Sequence, residues 1–288
     1  MFNLRCASRH RKNYVDDTKA LGKVIGGIEV KIIYRNPGVE YSINSIMSFQ
    51  RDDSSAYWSD SLFYFYPQID KEVFQNLSLK SKEVYMAEKL TTIYEDIRKD
   101  IDNKIEKYQG HFDKYSNQIN EALSEAFEIN GGALFNDLVA NISLNPVSPR
   151  FLQEHYFEVF YLNSEKGALG VSLHEAIHYY WFYVWNREYG DDYEEYEEPS
   201  LKWILSEMVV ESIMSDKRLC SINPYYPREQ GGCVYSYFQN MEIKGYNILD
   251  TLRDLYENNS IVQFMQKSYE YCIENEKSIR EHILNWGK

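Results

Sequence analysis

The chain has 288 residues, enough to bury a large core as one sizeable or two modest domains. Hydrophobic residues make up 44% and charged residues 26%, the balance of a soluble globular protein, and 26 tyrosines make much of that core aromatic. A net charge of -13 excludes the broad basic face that nucleic acid or an anionic membrane surface requires.

From the N-terminus, residues 1–12 carry basic side chains without the apolar segment of a signal peptide. No window approaches the roughly 18 apolar residues of a membrane span, so the expectation is a cytoplasmic protein. Cys6, Cys220, Cys233 and Cys272 lack Cys-x-x-Cys spacing and read as reduced core thiols, with a Cys220 to Cys233 bridge as the alternative in an exported protein. Alternation of Ile28, Val30 and Ile32 predicts a strand within 23–34. Ala56-Tyr57-Trp58, Phe63, Phe65 and Tyr66 precede Pro67 and form an aromatic cluster that either anchors a loop on the core or lines a groove.

Over 82–129 the period becomes helical. Ile97, Ile101, Ile105, Tyr108, Phe112, Tyr115, Ile119 and Leu123 recur every three or four residues, which predicts two helices joined near Gly110, with His111 an exposed residue at the joint. Asn130-Gly131-Gly132 ends this stretch. Strands are expected at 138–144 and 155–162, separated by Asn145-Pro146-Val147-Ser148-Pro149-Arg150.

Leu173-His174-Glu175-Ala176-Ile177-His178 then opens the most informative stretch. On an α-helix, His174 and His178 lie one turn apart on one face, close enough for both imidazoles to meet one ion, and Glu175 can reach a water at an open coordination position. The run through Tyr179-Tyr180-Trp181-Phe182 is apolar nearly all round, so the helix is buried, and burying these polar groups without a metal would cost several kcal/mol. Ser172 and Glu175 fit a capping box, but a helix starting near Lys166 leaves Glu175 free.

The acidic segment Gly190-Asp191-Asp192-Tyr193-Glu194-Glu195-Tyr196-Glu197-Glu198 reads as a solvated connector, and Pro199 suits the first position of the next helix. That helix, Trp203-Ile204-Leu205-Ser206-Glu207-Met208-Val209-Val210-Glu211, places two glutamates on one face of an otherwise apolar segment. One of them can bind the metal while the other accepts the far N–H of a ligand histidine.

HExxH on one helix and a Glu-x-x-x-Glu pair on the next resemble the gluzincin zinc metallopeptidases, which include thermolysin-like enzymes, large aminopeptidases and bacterial collagenases. The resemblance covers about residues 157–216. It implies one zinc ion per chain held by His174, His178 and Glu207, with Glu211 as the outer hydrogen-bond partner. It implies Glu175 as the base that activates water for peptide-bond hydrolysis, and a peptide or protein as the substrate. Gluzincins place a small sheet before the HExxH helix, so the resemblance implies that the 155–162 strand runs along the cleft, where an extended peptide could pair; the alternative is an ordinary hairpin of the two strands. They also supply a Tyr or His to the developing oxyanion, for which Tyr225, Tyr226, Tyr235, Tyr237, Tyr246 and His282 are available.

Helical patterns resume over 234–256 and 261–286. The expected fold is α+β and predominantly helical, with a small mixed sheet preceding a zincin-like active-site helix and an all-α C-terminal lobe. Its parts are an N-terminal region with short strands and a helical pair (1–130), a zincin core (131–217) and the helical lobe (218–288). Two alternatives to the peptidase remain: a zinc hydrolase acting on another substrate, and an inactive binding or scaffold protein with a structural metal.

Overall fold

A four-stranded mixed sheet lies before the long central helix in the computed structural model, which describes residues 30–50, 56–223, 227–228 and 231–286. Its strands are β1 (Ile32–Arg35), β2 (Leu138–Ser143), β3 (Arg150–Phe151) and β4 (Tyr156–Phe160), in the order β1-β2-β4-β3. The first three neighbours in that order are parallel, and β3 runs antiparallel to β4. The strand expected within 23–34 begins at Ile32; Ile28 lies outside the described residues. Because β1 and β2 belong to one ladder, residues on either side of position 130 share this sheet.

The strands expected at 138–144 and 155–162 are present but are not each other's hairpin. The chain leaves β2, forms β3, and turns back through 152–155 so that β4 inserts between them. β4 is therefore an inner strand with main-chain partners on both sides, which corrects the expectation that 155–162 borders the cleft. The edge belongs to β3.

Inner strands covered on both faces are buried throughout, and here they carry polar residues inside. Glu158, fully buried on β4, accepts hydrogen bonds from Ser143 Oγ (2.5 Å), Ser45 Oγ (2.5 Å) and Tyr41 (3.0 Å), the last two from α1 (Val39–Ser48). Burial pushes its carboxyl up to about 7 despite these donors, so the folded chain holds a proton that the unfolded chain releases from about pH 4.5 upward. Its burial accordingly costs nothing below that pH and most above pH 7, where the penalty reaches about 3 kcal/mol. Urea unfolding of Glu158→Gln should show a gain over the parent at pH 8 that shrinks to zero near pH 4.5. A difference independent of pH would refute the shift.

The aromatic segment before Pro67 is helical, α2 (Ala56–Phe65), followed by the short α3 (Lys71–Gln75). Tyr66 is buried and donates to Leu144 O (2.7 Å), and Phe65 packs edge-on against Phe160, so this part of the cluster anchors the chain on the core. The side chains of Tyr57 and Trp58 lie outside the described residues. The helical pair expected over 82–129 is α4 (Leu79–Asp113) and α5 (Ser116–Ala126), and the break falls at Lys114-Tyr115 rather than at Gly110. Gly110 stays helical, and His111 is half-buried with its ring 5.4 Å from that of Tyr115.

Behind the sheet runs α6 (Glu165–Tyr189), packed against α4 and β4. Gly131 meets it so closely that an added Cβ would lie 1.8 Å from the Tyr180 hydroxyl, which explains a glycine there. Then follow α7 (Leu201–Met214), α8 (Lys217–Ile222) and α9 (Ser236–Gln239). The C-terminal lobe is not all-α. A hairpin of β5 (Glu242–Ile243) and β6 (Tyr246–Asn247) turns through Lys244-Gly245, both at positive φ, before α10 (Ile248–Glu257) and α11 (Ile261–Asn285). The buried apolar side chains form one cluster across all these elements. Cys220, Cys233 and Cys272 are free thiols. Among the described residues no helix is long and apolar enough to cross a membrane.

Candidate metal centre

α6 starts where Ser164 accepts a hydrogen bond from the Gly167 amide (3.0 Å), well before the motif. The early start leaves Glu175 out of any cap. Ser172 instead donates back to Ala168 O (2.9 Å) and pairs with the Tyr34 hydroxyl of β1 (2.7 Å), tying the helix to the sheet. Tyr179, the next residue after His178, donates to Phe151 O (3.0 Å) and Tyr156 O (2.7 Å), which pins the edge strand above the motif.

The connector from α6 to α7 is less solvated than expected. Tyr196 is fully buried and stacks on Phe182 (4.3 Å), and Asp191 accepts from the Trp185 indole (2.5 Å). Pro199 is not the first helical residue. Ser200 caps α7 by accepting from the Trp203 amide (3.0 Å), and the helix runs from Leu201 with every residue from Ile204 onward buried.

This docking brings Glu207 against the two histidines. His174 Nε2 lies 3.3 Å from Glu207 Oε2, His178 Nε2 lies 3.4 Å from Oε1, and the two Nε2 atoms are 2.9 Å apart. The three residues could hold a metal ion, since one ligand atom from each lies within 4.8 Å of the others. Donors arranged tetrahedrally at about 2.0 to 2.1 Å from an ion are themselves about 3.3 Å apart, close to the separations here. Two imidazole nitrogens at 2.9 Å cannot both point a hydrogen at each other, and a cation between them requires neither to. Glu207 Oε2 and Glu175 Oε2 are buried without a hydrogen-bond partner among the described residues, as is His178 Nδ1 on the far side of its ring. Orphaned carboxylate oxygens beside two facing imidazoles are the mark of a place built for an ion or water.

The electrostatics are those of a crowded buried cluster. Burial, opposed by His174 and Arg150, raises the Glu175 carboxyl to about 7. Burial would lift Glu207 too, but His178 and Arg150 outweigh it and hold that carboxyl well below its usual range. Burial and the Arg150 charge lower His178 to about 3. His174 is also buried, but the neighbouring Glu207 and the negative field of Glu175 raise it.

Glu211 has other partners than the expected histidine. Fully buried one turn beyond Glu207, it accepts from Arg228 Nε (2.9 Å) and Nη2 (2.5 Å) and from Arg253 Nη2 (2.7 Å). Position 211 lies a full turn past the plane of the imidazoles, and the guanidinium groups reach it first. The outer contact of His174 is instead Nδ1 to Cys233 O (2.9 Å), a main-chain acceptor that fixes its tautomer and turns Nε2 to the centre. Arg228 begins the segment that carries Cys233. Removing Glu211 would take the ion-pair partner from Arg253 and leave Arg228 with Asp250 alone, so Glu211→Ala should lower stability by about 2 to 3 kcal/mol in denaturant titration. A change below about 0.5 kcal/mol would refute that role.

Of the six possible oxyanion donors, Tyr225 and Tyr226 lie outside the described residues. Tyr246 is exposed on the β5–β6 hairpin, and His282 sits on α11 beside Trp286. Tyr237 stacks on Tyr235 (5.2 Å). Tyr235, two residues past Cys233 and 6.3 Å from the Trp203 ring, lies in the field of Glu207, Arg150 and Glu175. Burial and the Glu207 charge push its phenol well above the usual range, so it stays protonated as a donor.

Sequence reading missed Arg150, whose Nη1 donates to Glu207 Oε1 at 2.7 Å. Nothing in its surroundings marks it, because a lone arginine after Pro149 looks like a turn residue. Comparisons with protein families, with characterised proteins and with solved structures found no match to this chain.

Proposed function

We propose that the chain is a zinc-dependent metallopeptidase of the gluzincin kind, hydrolysing peptide bonds. The observation that carries this reading is the meeting of His174, His178 and Glu207 from two helices beside a buried Glu175 oxygen that has no hydrogen-bond partner among the described residues. His174, His178 and Glu207 would hold the zinc, whose positive charge polarises a carbonyl and acidifies a water when bound.

The chain's own residues divide the remaining work. Glu175 takes the proton of the attacking water and returns it to the leaving amine, a task suited to a carboxylate whose basicity burial has raised. Tyr235 donates to the developing oxyanion. Among the described residues β3 has a strand partner on one side only, so its outer edge offers main-chain groups to an extended peptide. Cys233 O holds His174 in the tautomer that presents Nε2. Glu175 also favours this reading over a structural metal, because a closed structural site has no use for a base.

The test is hydrolysis of a mixed peptide library by the zinc-loaded chain, read by mass spectrometry. Cleavage that stops with a chelator and returns with zinc is the expected result. A chain that holds about one zinc and cuts no peptide would overturn the peptidase reading.

A further inference from the structure

Arg150 stands at the start of the edge strand, and its guanidinium reaches into the metal centre. Nη1 donates to Glu207 Oε1 (2.7 Å), and the group lies 5.8 Å from the centre of the Phe182 ring. That is one of the five N–H donors of the fork, and it is the only one with a hydrogen bond among the described residues. The side chain is still 12% exposed, and none of its nitrogens is a fully buried atom without a partner, so the unused donors reach solvent.

The strand that carries it is fixed. Arg150 is in register with Phe157, and the next residue, Phe151, stacks on Tyr156 (4.4 Å) and accepts from Tyr179. A guanidinium held in place with spare in-plane donors is preorganised for a carboxylate, which it can grip with two parallel hydrogen bonds.

We propose that Arg150 receives a carboxylate of the substrate beside the bond to be cut. The inference rests on the peptidase reading and supplies its substrate class: peptides with a free C-terminus, or an acidic side chain, next to the scissile bond. Two contacts, of 2.7 and 3.4 Å, separate Nη1 from His178 Nε2 by way of Glu207 Oε1. A carboxylate gripped by the fork lies one further hydrogen bond away, about 3 Å, so it belongs within about three residues of the reacting carbonyl.

The experiment is calorimetric binding of three short peptides to the zinc-loaded Glu175→Gln chain and to the metal-free parent. One peptide has a free C-terminus, one is its amide, and one is amidated but carries an aspartate. Either carboxylate should bind about 10- to 100-fold tighter than the neutral amide, in the presence and absence of zinc, and the stronger of the two identifies the source. Arg150→Gln should bring the ratio to about one. Arg150→Lys, which keeps the charge but loses the fork, should leave part of it and serves if the Gln variant fails to fold. A ratio near one with Arg150 present, a preference that survives Arg150→Gln, or a preference seen only with zinc each overturns the inference. Hydrolysis without the preference refutes this inference alone, whereas the preference without hydrolysis refutes the peptidase reading alone.

Discussion

Glu175→Gln should lower kcat for peptide hydrolysis by about 10²- to 10⁴-fold while the chain keeps its fold and its metal. The substitution is nearly isosteric and touches none of the three ligands, so metal content and the circular dichroism spectrum should match the parent. What is lost is a buried carboxylate oxygen that has no hydrogen-bond partner among the described residues and is not assigned to the metal, so it is free to accept a proton from water. An amide cannot hold that proton, and the loss amounts to roughly 3 to 5 kcal/mol of barrier. The measurement is steady-state kinetics on a peptide found by library cleavage, with zinc content determined on the same sample. Unaltered kcat at equal zinc would sink the assignment of Glu175 as base. Equal loss of zinc and activity would move Glu175 among the residues that hold the metal.

The second large effect is expected at Glu207. Wild type purified without a metal-affinity tag should carry about one zinc per chain by mass spectrometry, and Glu207→Ala should lose most of it. Loss of a direct ligand should weaken binding by more than the 10- to 100-fold typical of an outer partner. The same contrast should appear in stability. At free zinc 100 times its dissociation constant, binding stabilises the parent by about 2.7 kcal/mol, and Glu207→Ala should gain almost nothing from added zinc. The variant also removes the carboxylate to which Arg150 donates, so its metal-free form should be less stable than the parent. Adding Arg150→Met should recover part of that loss without restoring zinc. Zinc content unchanged in Glu207→Ala would remove the third ligand and, with it, the gluzincin reading.

Particular residues show why some of this was legible along the chain and some was not. His174, Glu175 and His178 share one helix, whose geometry fixes their relation without any knowledge of the fold. The early start of that helix could also be inferred, and Ser164 provides the cap. Glu207 and Glu211 share one helix as well, and an apolar segment with two carboxylates had to bury them against something. Which partner each would meet was a different matter. Glu207 found both histidines, and Glu211 found Arg228 and Arg253, which lie 17 and 42 residues further along. Cys233 O contributes a main-chain atom, and any residue at that position carries the same carbonyl.

Residue patterns by themselves determined the helical character, the two central strands, the metal-helix motif and the acidic residues able to complete it, because periodicity and spacing act within single elements. Only the tertiary structure decided that β4 lies inside the sheet and that Arg150 enters the centre from the edge. It likewise decided that Glu207 faces the histidines while Glu211 holds the segment leading to Cys233 and Tyr235. These are contacts between distant segments, fixed by how the elements pack and by the need of each buried charge for a partner, and local pattern carries no record of which partner arrives.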